Sequence, residues 1–261
     1  MSVIIHQNLN DWIANGRLGN QMFKVASLTG IGLKNSAPYY LDAPWNYQKY
    51  FKIPLHVTNQ KIKENLHDKV PYYHYEEVIL DQNKVYGIEA YFQSEKYFLN
   101  CKEYIKEFFT LKPEYSDPLK EKFKHHLNKI AVHIRRTDYV NNGPIPALPI
   151  FYYTEAFTHF PNEEFLICSD DIEWCKQNFI GEQFYFQDEK HEDIFDLYLM
   201  SYLKGIIIAN SSFSWWSAWL GERDGYKIIA PKAWMGGWIS KDIVPERWPR
   251  IGGKFWLEPG V

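Results

Sequence analysis

An apolar run, Ala131-Val132-His133-Ile134, delivers Arg135, Arg136, Thr137 and Asp138 to the end of what reads as a buried strand. A guanidinium is always charged and presents a planar fork of donors, so an arginine at that point suits the oxygens of a diphosphate. Side chains alternate along a strand, which predicts that Arg135 and Arg136 point to opposite sides, one toward a ligand and one held by the protein. The bland reading of the same residues is a pair of salt-bridged surface arginines.

Three further segments place small polar residues where strands end or helices begin. Ile206 to Trp216 reads as a buried strand turning sharply into a helix, with Asn210, Ser211, Ser212 and Ser214 at the turn and Phe213 among them. One of them must cap the helix. Four exceed that need, and free N–H groups at a helix start attract anions, so this turn is a second phosphate contact. Trp215, Trp216 and Trp219 follow at helical spacing and read as packing. Asn210-Ser211-Ser212 is formally a glycosylation sequon, expected to stay unmodified at a buried turn. Phe165 to Asp171 puts two carboxylates past another strand; Asp170 or Asp171 reads the paired donors of a guanine or binds a ribose, or else caps the helix that follows. Gly16-Arg17-Leu18-Gly19-Asn20-Gln21 is a tight turn opening a helix, with Asn20 and Gln21 as neutral donors and glycines that let a ligand approach.

Several chemistries find no support. The glycine turn is neither GxGxxG nor a Walker sequence, no GxSxG elbow occurs, His191-Glu192-Asp193 is not HExxH, and no clean DxD offers a nucleotide-bound metal site. A transfer that needs no metal and no cofactor fits better. Net charge is −3 and the isoelectric point near 6.3, without a long basic block, which argues against nucleic-acid binding. Cys101, Cys168 and Cys175 form no CxxC pair and suit a reducing compartment. Met1 to Trp12 does not read as a signal peptide, and the most apolar stretch, Gly205 to Gly221, is broken by polar residues and falls short of the roughly 20 that span a bilayer. A cytoplasmic protein is expected. Aromatics make up 18% of the chain, with 10 Trp and 19 Tyr; such rings stack on sugar faces as well as filling cores.

The 261 residues allow one large domain or two. The first half reads as a glycine turn, a helix from about residue 20 to 33, an irregular aromatic region over 37–57 and a helix over 102–109. The second alternates helix (117–127), strand (130–134), helix (150–160), strand (165–168), helix (171–178), strand (184–186), helix (193–204), strand (205–209), helix (214–220, ended by Gly221) and strand (227–230). That pattern describes an α/β doubly wound, mostly parallel sheet. Leu111-Lys112-Pro113 punctuates the chain, so the domains are expected at 1–112 and 113–261. Ligands of such sheets bind outside the carboxyl ends of the strands.

Taken together, Gly16–Phe23 (GRLGNQMF), His133–Asp138 (HIRRTD), Ile167–Asp171 (ICSDD) with Trp174, and Asp196–Leu220 (DLYLMSYLKGIIIANSSFSWWSAWL) resemble the inverting α-1,2-fucosyltransferases of bacterial type, across most of the chain. The arginine element and the glycine turn also look like those of protein O-fucosyltransferases and α-1,6-fucosyltransferases, which share the donor. The resemblance implies two Rossmann-like halves facing a cleft (GT-B-like), metal-independent, with the carboxyl half holding GDP-β-L-fucose and the amino half shaping the acceptor site. It implies that Arg135 contacts the β-phosphate, that Ser211 and Ser212, with Asn210 and Phe213 in the same turn, serve the diphosphate, and that Asp170 or Asp171 reads the nucleoside. His133 and Arg136 shape the pocket, Asp138 belongs to the same motif, and Asn20 faces the reacting centre. The general base is left open.

Arg17 stands where many bacterial members of the family have a second glycine, the chain is somewhat short, and Asn141-Asn142-Gly143-Pro144-Ile145-Pro146 is its own. The expected activity is transfer of L-fucose from GDP-fucose to the 2-hydroxyl of a terminal sugar, galactose being the expected one, on an oligosaccharide or glycolipid-linked glycan. Transfer of another nucleotide-linked deoxysugar is the nearer rival. A catalytically inactive glycan-binding protein is the other.

Overall fold

The computed structural model describes residues 1–67, 74–140, 145–235 and 241–252. The chain divides into two compact units, Met1–Ser116 with Lys241–Pro245, and Asp117–Ser240 with the residues from Glu246 onward. The division falls within a helix, Pro113–Lys122, rather than before Pro113. The returning segment joins unit 1 through Asp242, whose carboxylate takes the Tyr75 backbone N–H at 2.9 Å and the Lys96 ammonium at 2.5 Å.

Unit 1 contains β1 (Val3–His6), α1 (Trp12–Asn15), α2 (Leu18–Lys34), β2 (Tyr39–Leu41), β3 (Glu64–Leu66), β4 (Val85–Ile88) and α3 (Lys102–Phe108). Its sheet runs β2-β1-β4-β3, all parallel. The sequence pattern announced none of these strands, and the region over 37–57 holds β2 and the 3-10 turn Asn46–Tyr50 rather than irregular chain alone. α2 buries nearly every residue from Leu18 to Gly32. It can do so because Gly30 has no side chain: a Cβ there would lie 2.1 Å from the Tyr97 carbonyl oxygen.

Helix α4 (Pro113–Lys122) opens on a proline, which suits a first helical turn, and ends before the expected Leu127. Unit 2 continues with β5 (Ile130–Ile134), α5 (Thr137–Val140), α6 (Ile150–Thr158), β6 (Phe165–Ser169), α7 (Ile172–Asn178), β7 (Phe184–Gln187), α8 (Asp193–Tyr202), β8 (Gly205–Ile207), α9 (Ser212–Gly221), β9 (Lys227–Pro231) and β10 (Arg250–Ile251). The sheet order is β10-β9-β8-β5-β6-β7, every pair parallel. β5 and β8 are wholly buried, which is why they read as apolar runs, broken in β5 only by His133. Strand β8 is shorter than expected, yet Ile208 N still donates to Ile229 O at 2.9 Å. Trp215, Trp216 and Trp219 are fully buried, so they pack, and losing any one to alanine should cost about 3–5 kcal/mol.

No helix among the described residues is long and apolar enough to cross a membrane. The three cysteines are unbridged.

Candidate functional site

From β5 the chain winds outward through β6 and β7, then crosses back to β8 on the other side of β5 and winds away through β9 and β10. The sheet therefore has its topological switch point between β5 and β8, where the connections leave in opposite directions and open a crevice at the carboxyl ends. The two segments that the sequence marks for phosphate follow these two strands: Arg135–Asp138 after β5, and Asn210–Ser214 after β8.

Both arginines lie beyond the end of β5, so strand alternation does not govern them, and both are held by the protein. Arg135 Nη2 meets Asp138 at 2.5 Å, Nη1 meets Asp170 at 2.8 Å, and the guanidinium lies over the Tyr139 ring at 5.5 Å. Arg136 Nε meets Asp171 at 3.1 Å and its guanidinium stacks 3.6 Å from the Trp174 ring centroid. Protein contacts therefore hold both arginines and not one alone. A guanidinium carries five N–H donors, so Arg135 retains donors beyond the two ion pairs.

The two acidic residues turn inward. Asp170 accepts the Arg136 backbone N–H at 2.9 Å and the Thr137 hydroxyl at 2.5 Å. Burial pushes its carboxyl up, but Thr137, Arg135 and the Arg136 N–H together outweigh that and leave it below the ordinary aspartate value. Asp171 caps α7 by accepting from Trp174 N at 3.3 Å, with its other oxygen on Arg136. Both carboxylates thus have both oxygens engaged within the protein, and Asp171 remains about a third exposed. A third carboxylate escaped notice in the sequence. Asp196, in the first turn of α8, is held by His191 at 2.7 Å and Gln187 at 3.2 Å beside the carboxyl end of β7. Burial raises its pKa against the pull of both partners. Nothing in the spacing of His191 and Asp196 marked them as a pair.

At the second turn, Ser211 is the N-cap of α9, its hydroxyl accepting from Phe213 N at 3.4 Å. The helix opens at Ser212, two residues earlier than expected, and Ser212 and Phe213 are half-buried there. Asn210 is corrected: it is 1% exposed, and its amide donates to the carbonyls of Pro146 and Trp234, both at 3.0 Å. Its side chain ties two loops together instead of facing a diphosphate. Its Oδ1 has no partner among the described residues. Tyr139, also missed, reaches the Asn210 carbonyl at 3.4 Å.

His133 is buried, with Nδ1 2.8 Å from the Ser214 hydroxyl and the Phe213 ring 5.5 Å away. Burial, reinforced by Arg135 and only partly opposed by Asp170, pulls its pKa down to about 4, so the ring is neutral at physiological pH. Asp138 is the most open member, with its side chain 54% exposed. Asn20 lies in unit 1, where its Oδ1 accepts from Gln93 at 2.7 Å. Among the described residues, no group of three His, Cys, Asp or Glu could hold a metal ion. Residues 141–144 of the segment peculiar to this chain lie outside the described residues.

The family model for Glycosyl transferase family 11 matches residues 3–248. An alpha-1,2-colitosyltransferase of Escherichia coli is 40% identical over 185 residues, which cover 62% of this chain but only 61% of that protein. A galactoside 2-alpha-L-fucosyltransferase of Caenorhabditis elegans is 26% identical over 90% of this chain and 77% of its own. Among solved structures, POFUT1 in complex with GDP-fucose shares the fold with a TM-score of 0.55 at 11% identity, covering 87% of this chain and 97% of its own.

Proposed function

The chain belongs to glycosyl transferase family 11, and from that premise we propose that it moves L-fucose from GDP-β-L-fucose, with inversion, to the 2-hydroxyl of a terminal sugar, a β-galactoside, on a glycan. The observation that supports this most is the meeting of the Arg135 segment and the Ser211 turn at the switch point between β5 and β8. GDP leaves with negative charge developing on its diphosphate. Arg135, fixed by Asp138 and Asp170, and the positive amino end of the α9 dipole are pre-organised for that charge, an interaction worth about 3–4 kcal/mol for a donor such as Arg135. Neutral His133 shapes the pocket wall without adding charge. Asp170 or Asp171, beside Arg135 and Arg136, would read the nucleoside with what acceptor capacity these contacts leave. The reaction calls for no metal and no covalent intermediate, and the unbridged cysteines favour a cytoplasmic setting.

A second donor reading has its own support: the relative at 40% identity transfers colitose, whereas the galactoside fucosyltransferase stands at 26%. One experiment separates them. Turnover of GDP-fucose is measured beside other GDP- and dTDP-linked deoxysugars, against a panel of β-galactosides, with linkage analysis of the product. Preference for a different donor would overturn the fucosyl reading; sugar binding without any turnover would point to an inactive glycan-binding protein.

A further inference from the structure

Helix α2 carries Asn20, Lys24 and Ser27 at positions i, i+4 and i+7, a single stripe along one face. All three hold the same short loop after β4. Asn20 Oδ1 accepts from Gln93 Nε2 at 2.7 Å, the Lys24 ammonium lies 4.5 Å from the centroid of the Tyr91 ring, and the Ser27 hydroxyl donates to the Phe92 carbonyl at 3.1 Å. Between Tyr91 and Gln93, Phe92 is buried with φ +47, a left-handed conformation that a bulky side chain rarely adopts. Strain of that kind persists only where the surroundings over-determine it, and it concentrates at functional sites.

Lys24 adds a second expense. It is 1% exposed, and removing an ammonium from water is costly even when it gains partners. Its Nζ also donates to Asn15 Oδ1 at 2.7 Å, and Asn15 in turn donates to the Asn8 carbonyl at 2.7 Å, which ties the glycine turn to the same cation. A fold that only needed α2 against its sheet would be served by an apolar residue here. What the cation does is fix Tyr91 three residues past the carboxyl end of β4, and Tyr91 remains partly exposed.

We infer that Lys24 is a positioning residue that acts through Tyr91, and that the Tyr91 ring is a platform for a hexopyranose ring of the acceptor. An aromatic ring offers an apolar face for the C–H face of a sugar and, in tyrosine, a hydroxyl for one of its hydroxyls. Burial raises the Tyr91 pKa, so that hydroxyl keeps its proton at neutral pH. This inference rests on the reading that unit 1 serves the acceptor.

Binding of methyl β-hexopyranosides to the full chain, followed by saturation-transfer NMR without donor, tests it independently of turnover. Tyr91→Ala should weaken galactoside binding at least about tenfold, and Tyr91→Phe less than about threefold. Lys24→Met should weaken it about threefold or more while GDP affinity, by calorimetry, stays within about twofold, and Lys24→Arg should restore most of the loss. In a Tyr91→Ala background Lys24→Met should add nothing. If Lys24→Met does not fold, the arginine variant and the two Tyr91 variants still decide. Absence of hexopyranoside binding to the unaltered chain, an unchanged affinity in Tyr91→Ala, or an undiminished Lys24 effect without the ring would each overturn the inference. Absence of fucosyl transfer with this binding intact would overturn the donor reading alone.

Discussion

Asp170 Oδ2 lies 2.8 Å from Arg135 Nη1, while Asp170 Oδ1 receives the backbone N–H of Arg136 at 2.9 Å. One carboxylate just past the neighbouring strand thus sets both the side chain of the first arginine and the backbone of the second. Protein contacts alone fix the guanidinium, and a donor held in place in that way is most effective toward a transition-state charge.

Arg135→Ala should lower turnover at least about a hundredfold, the usual consequence of losing one pre-organised donor. Arg135→Lys should recover only part of it, since a point charge cannot replace the planar fork. Steady-state rates on folded variants decide; near-normal turnover in the alanine variant would remove Arg135 from the diphosphate.

Asn20→Ala should reduce kcat strongly and leave GDP affinity within about a factor of three, under roughly 1 kcal/mol. The reason is its place in unit 1 beside Gln93. Calorimetry of GDP beside initial rates checks this, and a large loss of GDP affinity with kcat preserved would put Asn20 in the nucleotide pocket.

Activity should persist in excess chelator. The groups offered to the diphosphate are cationic and amide donors, and no metal-binding cluster occurs among the described residues. Activity abolished by EDTA and restored by Mg²⁺ or Mn²⁺ would reassign Asp170 and Asp171 to metal binding.

Replacing a helical glycine by alanine ordinarily stabilises by up to about 1 kcal/mol. Gly30→Ala should do the reverse. Its Cβ would meet the Tyr97 carbonyl oxygen at 2.1 Å and the Phe98 Cα at 2.6 Å, backbone atoms that cannot rotate away. A loss of about 1–3 kcal/mol is expected from overpacking, read as a lower denaturation midpoint; a midpoint unchanged or raised would show that α2 can shift freely.

Stability should fall as pH drops from about 6.5 to about 4. His133 takes a proton near 6.5 when unfolded but only near 4 when folded, so acidification across that window favours the unfolded chain. His6, drawn down to about 3 by burial and by Lys24, acts in the same direction. The paired Asp170 adds a further loss only below 3.8, its ordinary value. Urea midpoints at pH 7.5, 6 and 5 measure the slope, and His133→Asn should flatten it by up to about one proton.

The second half of the fold was legible because its central strands β5, β6 and β8 are buried on both faces and its strands are separated by amphipathic helices. Val3–His6, Tyr39–Leu41, Glu64–Leu66 and Val85–Ile88 were not: each has three or four residues, several polar or aromatic, and pairing with distant partners supplies what local pattern lacks. Arg135 and Ser211 could be found from strand ends alone. That Asp170 would be consumed by Arg135 and Thr137, or that Asn210 would reach Pro146 and Trp234, depends on strand order, which spacing does not encode.

The return of Lys241–Pro245 to unit 1 bears on how the chain is made. Synthesis delivers Met1–Ser116 first, yet the carboxylate that receives Tyr75 N–H and the Lys96 ammonium belongs to Asp242, whose side chain ends up 8% exposed. The amino-terminal unit is therefore finished only after nearly the whole of the other has left the ribosome. No single cut yields both units whole, and a fragment ending at Ser116 lacks one of its own buried acids.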